Sequence, residues 1–212
     1  MTNKERVRLI IGTAINIVVF VLEVICLCIF IKYVVQGNQD NRFRYFTNIS
    51  NLTVGAFALP TTILLLMSII KGKMIYPKYF HIAKFIALTM TSLTFVVVLF
   101  ALAPLTSLYE MYSNVKFITH LVVPVIAVVS YLFFEDKTEF NWKWSLLGMV
   151  PSIIYSVMYG VNVALLKRWP DLYQVNNQGL WYLFSIATVV VAFGVAQGLY
   201  FLKRLTIKKA AK

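Results

Sequence analysis

The sequence predicts an all-α integral membrane protein whose six transmembrane helices form one bundle. Of the 212 residues, 60% are hydrophobic and only 13% are charged, and the mean hydropathy is +0.77. Soluble domains are nearer to half apolar and a quarter charged. In addition, six apolar segments each approach the ~20 residues that a helix needs to cross the bilayer core. The connecting loops are short, so residues 1–212 are predicted to be a single domain.

The predicted spans cover residues 8–35, 47–70, 79–102, 115–134, 144–166 and 180–202. The first span follows a short basic stretch, as a signal peptide does. Its apolar run is longer than that of a signal peptide and has no small-residue cleavage site, which favours a retained helix. The sequence leaves the oligomeric state open.

The distribution of basic residues predicts the orientation. Fourteen Lys and Arg fall at the side that holds both termini, and six fall at the other side. The positive-inside rule therefore places both termini in the cytoplasm. We call the opposite side the outer side.

The chain has 20 Lys and Arg but only 8 Asp and Glu. In a soluble protein such an excess of positive charge would suggest binding to nucleic acid, but we do not expect that function here. These basic residues lie between apolar runs, where they are expected to contact lipid headgroups and to set the orientation of the spans. Cys26 and Cys28 stand two apart on one helix and cannot pair with each other. No metal-binding Cys/His motif, phosphate-binding glycine loop or serine-hydrolase elbow occurs in the sequence, so we expect no metal and no cofactor.

Polar residues of three spans share one layer near the outer side. At 1.5 Å per residue, Thr47 begins the second span, His120 lies about one and a half turns into the fourth, and Asn162 lies near the outer end of the fifth. Pro124 cannot bond the carbonyl four residues before it, so the carbonyl of His120 is expected to be free at a kink. Ionisable groups inside a membrane are commonly functional, which favours a functional role for His120. The alternative is a histidine that only hydrogen-bonds a neighbouring helix.

Two interpretations of Thr47 remain open at this point. Thr47, Ser50 and Asn51 fall on one helix face, with Asn48 about 100° away. These residues can cap the helix and bond its neighbours. Alternatively, Thr47 is a nucleophile whose proton is taken by His120, the only histidine at its depth. Asn48, Asn51 and Asn162 are then candidate oxyanion or cavity groups.

Glu23 is the only carboxylate well inside a span. An ionised carboxylate would be costly there, so Glu23 is expected to be protonated or paired. It can serve a proton relay, orient His120 or join two helices. Three outer-loop carboxylates, Asp40, Glu110 and Asp171, are further candidates to orient His120.

Two short motifs resemble those of a known family. The stretch RYFT at 44–47 begins the second of six spans, and THLVVP at 119–124 lies early in the fourth. Together they resemble the androgen-induced protein and androgen-dependent TFPI-regulating protein family. The longer stretch from Phe43 to Asn51, taken with residues 119–124, is similar to the bacterial relatives of that family, which implies a bacterial cytoplasmic membrane. The resemblance implies a membrane hydrolase of fatty acid esters of hydroxy fatty acids, with Thr47 as nucleophile and His120 as essential histidine.

The sequence thus favours an intramembrane hydrolase or acyltransferase of lipid esters, whose ligand lies in a cavity open to membrane lipids. Two alternatives belong to other classes. One is a small proton-coupled transporter or channel that uses Glu23 and His120. The other is a non-catalytic membrane scaffold in which the polar face of the second helix only joins neighbouring helices.

Overall fold

Six long helices form the protein. The structure is a computed structural model that describes residues 1–36, 44–137, 139–171, 173, 176 and 179–210. The long helices are α1 (Asn3–Val35), α2 (Phe46–Lys71), α3 (Lys78–Leu102), α4 (Val115–Phe134), α5 (Trp142–Leu165) and α6 (Trp181–Lys208). A short helix, Leu108–Met111, lies between α3 and α4.

The prediction of six spans is confirmed. All six long helices are long and apolar enough to cross a membrane, and the described residues include no strand. Most predicted bounds lie within two residues of the observed ones, while α1 begins earlier and α6 continues further. The capping box formed by Thr2 and Glu5 explains the early start of α1, because polar caps start a helix before its apolar run.

The centre of the bundle lies around α3, which is the most buried of the six helices. Phe85 and Leu88 of α3 are completely buried, and they belong to one apolar core with Val123 and Tyr131 of α4. In contrast, large apolar side chains of α1 and α6, such as Val18 and Ile186, are exposed on the outside of the bundle. In a membrane such side chains face lipid, so the pattern is that expected of a spanning bundle.

A buried ion pair lies near the end of the bundle that holds the termini. Lys84 Nζ of α3 lies 2.6 Å from Glu135 Oε1, just beyond the end of α4. Asn16 of α1 and Ser130 of α4 donate to the same Glu135 oxygen at 2.9 and 2.8 Å. Lys84 also donates to Thr61 of α2 at 3.0 Å. The pair and its hydrogen bonds therefore join four helices. A buried charge pair needs such additional hydrogen bonds to offset the cost of removing its charges from water.

A second group of polar side chains adjoins this pair. The Tyr131 hydroxyl and His81 Nε2 are 2.8 Å apart, and His81 Nδ1 lies 3.6 Å from Asp136. Lys203 of α6 donates to the Tyr131 carbonyl and lies over the Tyr131 ring. We call Lys84, Glu135, His81, Tyr131, Asp136 and Lys203 the inner polar cluster.

The inner polar cluster changes how two basic residues are interpreted. The sequence analysis counted Lys84 and Lys203 among the basic residues that flank spans, but both are buried inside the bundle. Without Lys84 and Lys203, the side that holds the termini still has twelve basic residues, and the other side has six. The orientation expected from the positive-inside rule is therefore unchanged.

Candidate functional site

At the opposite end of the bundle, an open cavity of about 410 Å³ lies between α1, α2, α4 and the segment that joins α3 to α4. We call it the outer cavity. Its walls include Thr47 and Asn48 of α2, Thr119 and His120 of α4, and Glu110 and Met111 of the short helix. Two residues that the sequence placed in one membrane layer, Thr47 and His120, thus line the same cavity.

Thr47 is the second residue of α2, which has Tyr45 as its N-cap residue. No side chain caps this helix end by a hydrogen bond, so the interpretation of Thr47 as the cap is wrong. The amides of Asn48 and Ile49 bond the carbonyl of Tyr45. The Thr47 hydroxyl therefore lies at the positive end of the helix dipole, where a developing negative charge is stabilised.

The imidazole of His120 is held in one orientation by the backbone. His120 Nδ1 lies 2.7 Å from the carbonyl oxygen of Met111. A carbonyl can only accept, so Nδ1 carries the proton and donates it to Met111. Neutral His120 then has its lone pair on Nε2, which is the arrangement of a general base.

Among the described residues, the group that orients His120 is thus the Met111 carbonyl and not a carboxylate. Glu110 lines the cavity, but it is its neighbour Met111 that bonds the ring. The Asp171 side chain accepts from the amide of Asn176 at 2.8 Å. Asp40 and Phe43 lie outside the described residues.

Asn51 fixes the relative position of the two helices that carry Thr47 and His120. Its side-chain amide donates to the carbonyls of Thr47 and Thr119, both at 2.8 Å. Its carbonyl oxygen accepts from the Thr91 hydroxyl of α3 at 3.0 Å. Both N–H groups of Asn51 are used in this way, so Asn51 is a positioning residue and not the oxyanion donor that the sequence suggested.

A π-helical turn in α4 explains why Asn51 finds a free carbonyl. Residues Ile118–Val122 are π-helical, and the amide of Val123 bonds the carbonyl of Ile118, five residues back. In this register Pro124 would bond the carbonyl of Thr119, but proline has no N–H. The free carbonyl is therefore that of Thr119, and the prediction of a free carbonyl at His120 is wrong by one residue.

We expect Asn51→Leu to lower the thermal stability of the purified protein in detergent. The substitution leaves the Thr119 carbonyl and the Thr91 hydroxyl buried without their partner, which costs about 1–3 kcal/mol. The matched control is Asn162→Leu, because among the described residues the Asn162 side-chain amide bonds only the Met158 carbonyl of its own helix, at 2.8 Å. Equal unfolding temperatures for Asn51→Leu and the native protein would contradict the positioning role.

The other candidate polar residues divide by location. Asn48 is buried and lines the outer cavity, so it remains a candidate oxyanion donor. Asn162 does not line the outer cavity. Glu23 packs against Gly55, where an added Cβ would lie 2.6 Å from the Glu23 Cβ, and neither of its oxygens has a hydrogen-bond partner among the described residues. Glu23 therefore neither orients His120 nor lines the outer cavity.

Tyr173, in the segment after α5, is a candidate that the sequence analysis missed. Its side chain lies beside those of Thr47 and Tyr155, and it lines the outer cavity together with Thr47. Burial raises the pKa of Tyr173 above its ordinary value, so the phenol stays protonated and can donate. Aromatic residues near span ends are expected for membrane reasons alone, and the sequence therefore gave no separate signal for Tyr173.

A second, narrower pocket of about 50 Å³ adjoins Thr47. It lies between α2, α3, α5 and α6 and is lined mainly by apolar side chains, among them Leu93, Val97 and Phe184. Thr47, Leu102 and Tyr173 line both this apolar pocket and the outer cavity. The Thr47 hydroxyl is thus placed where a polar space and an apolar space meet.

Fold and site together define a six-span membrane protein with a polar cavity at one end of the bundle. In comparisons with family models, with curated proteins and with solved structures, nothing matches this chain. The function is therefore inferred from the residues of the site itself.

Proposed function

We propose that this protein is an intramembrane hydrolase of lipid acyl esters, with Thr47 as nucleophile and His120 as general base. One observation carries the proposal: a threonine and a histidine from different helices line one cavity, and the histidine is held with Nε2 as its basic nitrogen. A hydroxyl needs such a base to act as a nucleophile at neutral pH. No hydrogen bond joins the two side chains among the described residues, and such bonds commonly tighten only when substrate binds.

In the first step, Thr47 Oγ1 attacks the ester carbonyl carbon while its proton passes to His120 Nε2. The tetrahedral intermediate then collapses, and the alcohol leaves with the proton from Nε2. The product of this step is an acyl ester of Thr47. The Met111 carbonyl stabilises the imidazolium that forms in between, because Nδ1 donates to it throughout.

In the second step, a water molecule gives its proton to Nε2 and attacks the acyl carbon. Collapse of this intermediate releases the fatty acid and returns the proton to Thr47 Oγ1. Tyr173 and Asn48 are the candidate donors to the oxyanion in both steps, since one interacts with Thr47 and the other lines the cavity beside it. Such donors typically contribute about 10²–10³ in rate.

The two spaces around Thr47 suit the two parts of a lipid ester. The apolar pocket can receive the start of the acyl chain, and the outer cavity can receive the alcohol or headgroup. The resemblance of residues 44–47 and 119–124 to the androgen-induced protein family supports the same assignment of Thr47 and His120. We further propose that the protein resides in a bacterial cytoplasmic membrane with both termini in the cytoplasm.

The alternative of a proton-coupled transporter has less support. It requires Glu23 and His120 to exchange protons, yet Glu23 does not line the cavity that holds His120. The scaffold alternative explains Asn51 but gives no reason for the orientation of His120 toward a cavity.

Covalent labelling tests the proposal. We expect a fluorophosphonate probe to phosphonylate Thr47 of the purified native protein in detergent, with the adduct located by peptide mass spectrometry. His120→Ala should label at least about tenfold more slowly, because the hydroxyl then lacks its base. The control is Thr53→Ala, because the Thr53 hydroxyl bonds the Ile49 carbonyl of its own helix and no other residue in the part of the chain that the structure describes. Absence of an adduct on folded native protein would contradict the proposal.

A further inference from the structure

The rim of the outer cavity carries one cation and one carboxylate. Lys116 and Glu110 both line this cavity, and both are exposed. Neither forms an ion pair with any residue that the structure describes. A cavity for a neutral lipid such as a diacylglycerol has no use for two opposite charges at its rim.

The positions of these charges are defined relative to the catalytic pair. Lys116 precedes His120 by four residues on α4, which is about 6 Å along the helix axis at the usual rise per residue. Both side chains line the outer cavity. Lys116 Nζ donates to the Glu110 carbonyl at 3.1 Å, which holds the ammonium group beside the segment that bears Glu110. Two of its three N–H groups remain for a ligand.

These distances match a glycerophospholipid. In such a lipid about five covalent bonds separate the ester carbonyl carbon of the middle acyl chain from the phosphorus, which is about 6 Å at the advance per bond of an extended chain. An ester carbonyl placed at Thr47 and His120 thus brings the phosphate to Lys116. Phosphate alone would be repelled by the Glu110 carboxylate, whereas a headgroup that ends in an ammonium group would pair with it.

We propose that the outer cavity recognises a zwitterionic glycerophospholipid, with Lys116 binding the phosphate and Glu110 binding the headgroup amine. This inference rests on the proposed function of Thr47 and His120. It adds the class of substrate, namely an acyl ester of an amine-bearing phospholipid, to that function.

The test compares three substrates with identical acyl chains in mixed micelles: phosphatidylethanolamine, phosphatidylglycerol and diacylglycerol. For the native protein we expect kcat/KM to be highest for phosphatidylethanolamine, by about tenfold over diacylglycerol, in line with one or two hydrogen bonds to charged groups. Lys116→Gln should lower kcat/KM for both phospholipids by a larger factor than it lowers kcat/KM for diacylglycerol. Glu110→Gln should lower it for phosphatidylethanolamine alone.

The control is Lys32→Gln, because Lys32 is exposed near the outer end of α1 and does not line the outer cavity. It should behave as the native protein on all three substrates. Equal kcat/KM for the three substrates, all abolished by Thr47→Ala, would overturn the headgroup assignment and leave the hydrolase intact.

A binding measurement separates the two claims if no substrate is hydrolysed. In native mass spectrometry, the Thr47→Ala protein should retain more bound phosphatidylethanolamine than phosphatidylglycerol. The double variant Thr47→Ala with Glu110→Gln should bind the two lipids equally. Retention with no hydrolysis by the native chain would overturn the proposed function and keep the headgroup site. No preference in binding would overturn the headgroup site.

Discussion

Thr47→Ala is expected to lower the rate of lipid ester hydrolysis by at least about 10³-fold, because removal of a nucleophile leaves only binding and oxyanion stabilisation. The substituted protein should remain folded, since the Thr47 side chain caps no helix and its carbonyl, which Asn51 uses, is unchanged. Thr47→Ser should retain a measurable rate, because it keeps a hydroxyl at the same position. The measurement is single-turnover hydrolysis of an ester in micelles.

A substitution at His120 can separate its hydrogen bond to Met111 from its role as a base. His120→Asn supplies an amide that can still donate to the Met111 carbonyl, but it has no basic nitrogen. We expect it to fold and to be about as inactive as Thr47→Ala. The double variant should be no worse than either single variant, because residues that act as a unit are not additive. Substantial activity in His120→Asn would show that another group takes the proton.

Lys84→Met is expected to destabilise the protein by about 3–5 kcal/mol, because it removes the cation that lies 2.6 Å from the buried Glu135 carboxylate. Replacing both partners, Lys84→Met with Glu135→Leu, should recover most of this loss, since no buried charge then remains unpaired. Thermal unfolding in detergent measures both effects. Lys71→Met, at an exposed position, is the control and should be nearly neutral.

The same pair predicts how stability depends on pH. Burial by itself would raise the pKa of Glu135, but Lys84 and the hydrogen bonds from Asn16, Lys84 and Ser130 hold it below its ordinary value. A lowered pKa in the folded state means that the stabilisation is present above the unfolded pKa. It is lost as the pH falls through the folded pKa. A Glu135→Gln protein should therefore lose less stability on acidification than the native protein.

The sequence predicted the six spans because each is a long apolar run that only a helix can place in lipid. It also brought Thr47 and His120 to one layer, because helical rise converts sequence position into depth. It could not place Lys84 and Lys203, since a basic residue near a span end can turn toward the headgroups or into the bundle. Only the neighbouring Glu135 and Asp136 decide between these two positions.

Local backbone irregularities account for the remaining differences at the site. The π-helical turn at Ile118–Val122 moves the free carbonyl from His120 to Thr119, and the sequence signals only that Pro124 leaves some carbonyl free. The Met111 carbonyl and the Tyr173 hydroxyl come from connecting segments. Their contacts with His120 and Thr47 depend on loop conformation, which helical periodicity does not describe.

The central claim is that Thr47 carries the acyl group during the reaction. The most direct test mixes native protein with an ester whose acyl chain is isotopically labelled, stops the reaction with acid within the first turnover, and maps the labelled peptide by mass spectrometry. The account predicts an acyl group on Thr47 that is absent from His120→Asn. Hydrolysis at the native rate with no acyl group on Thr47, or with the label on another residue, would contradict it.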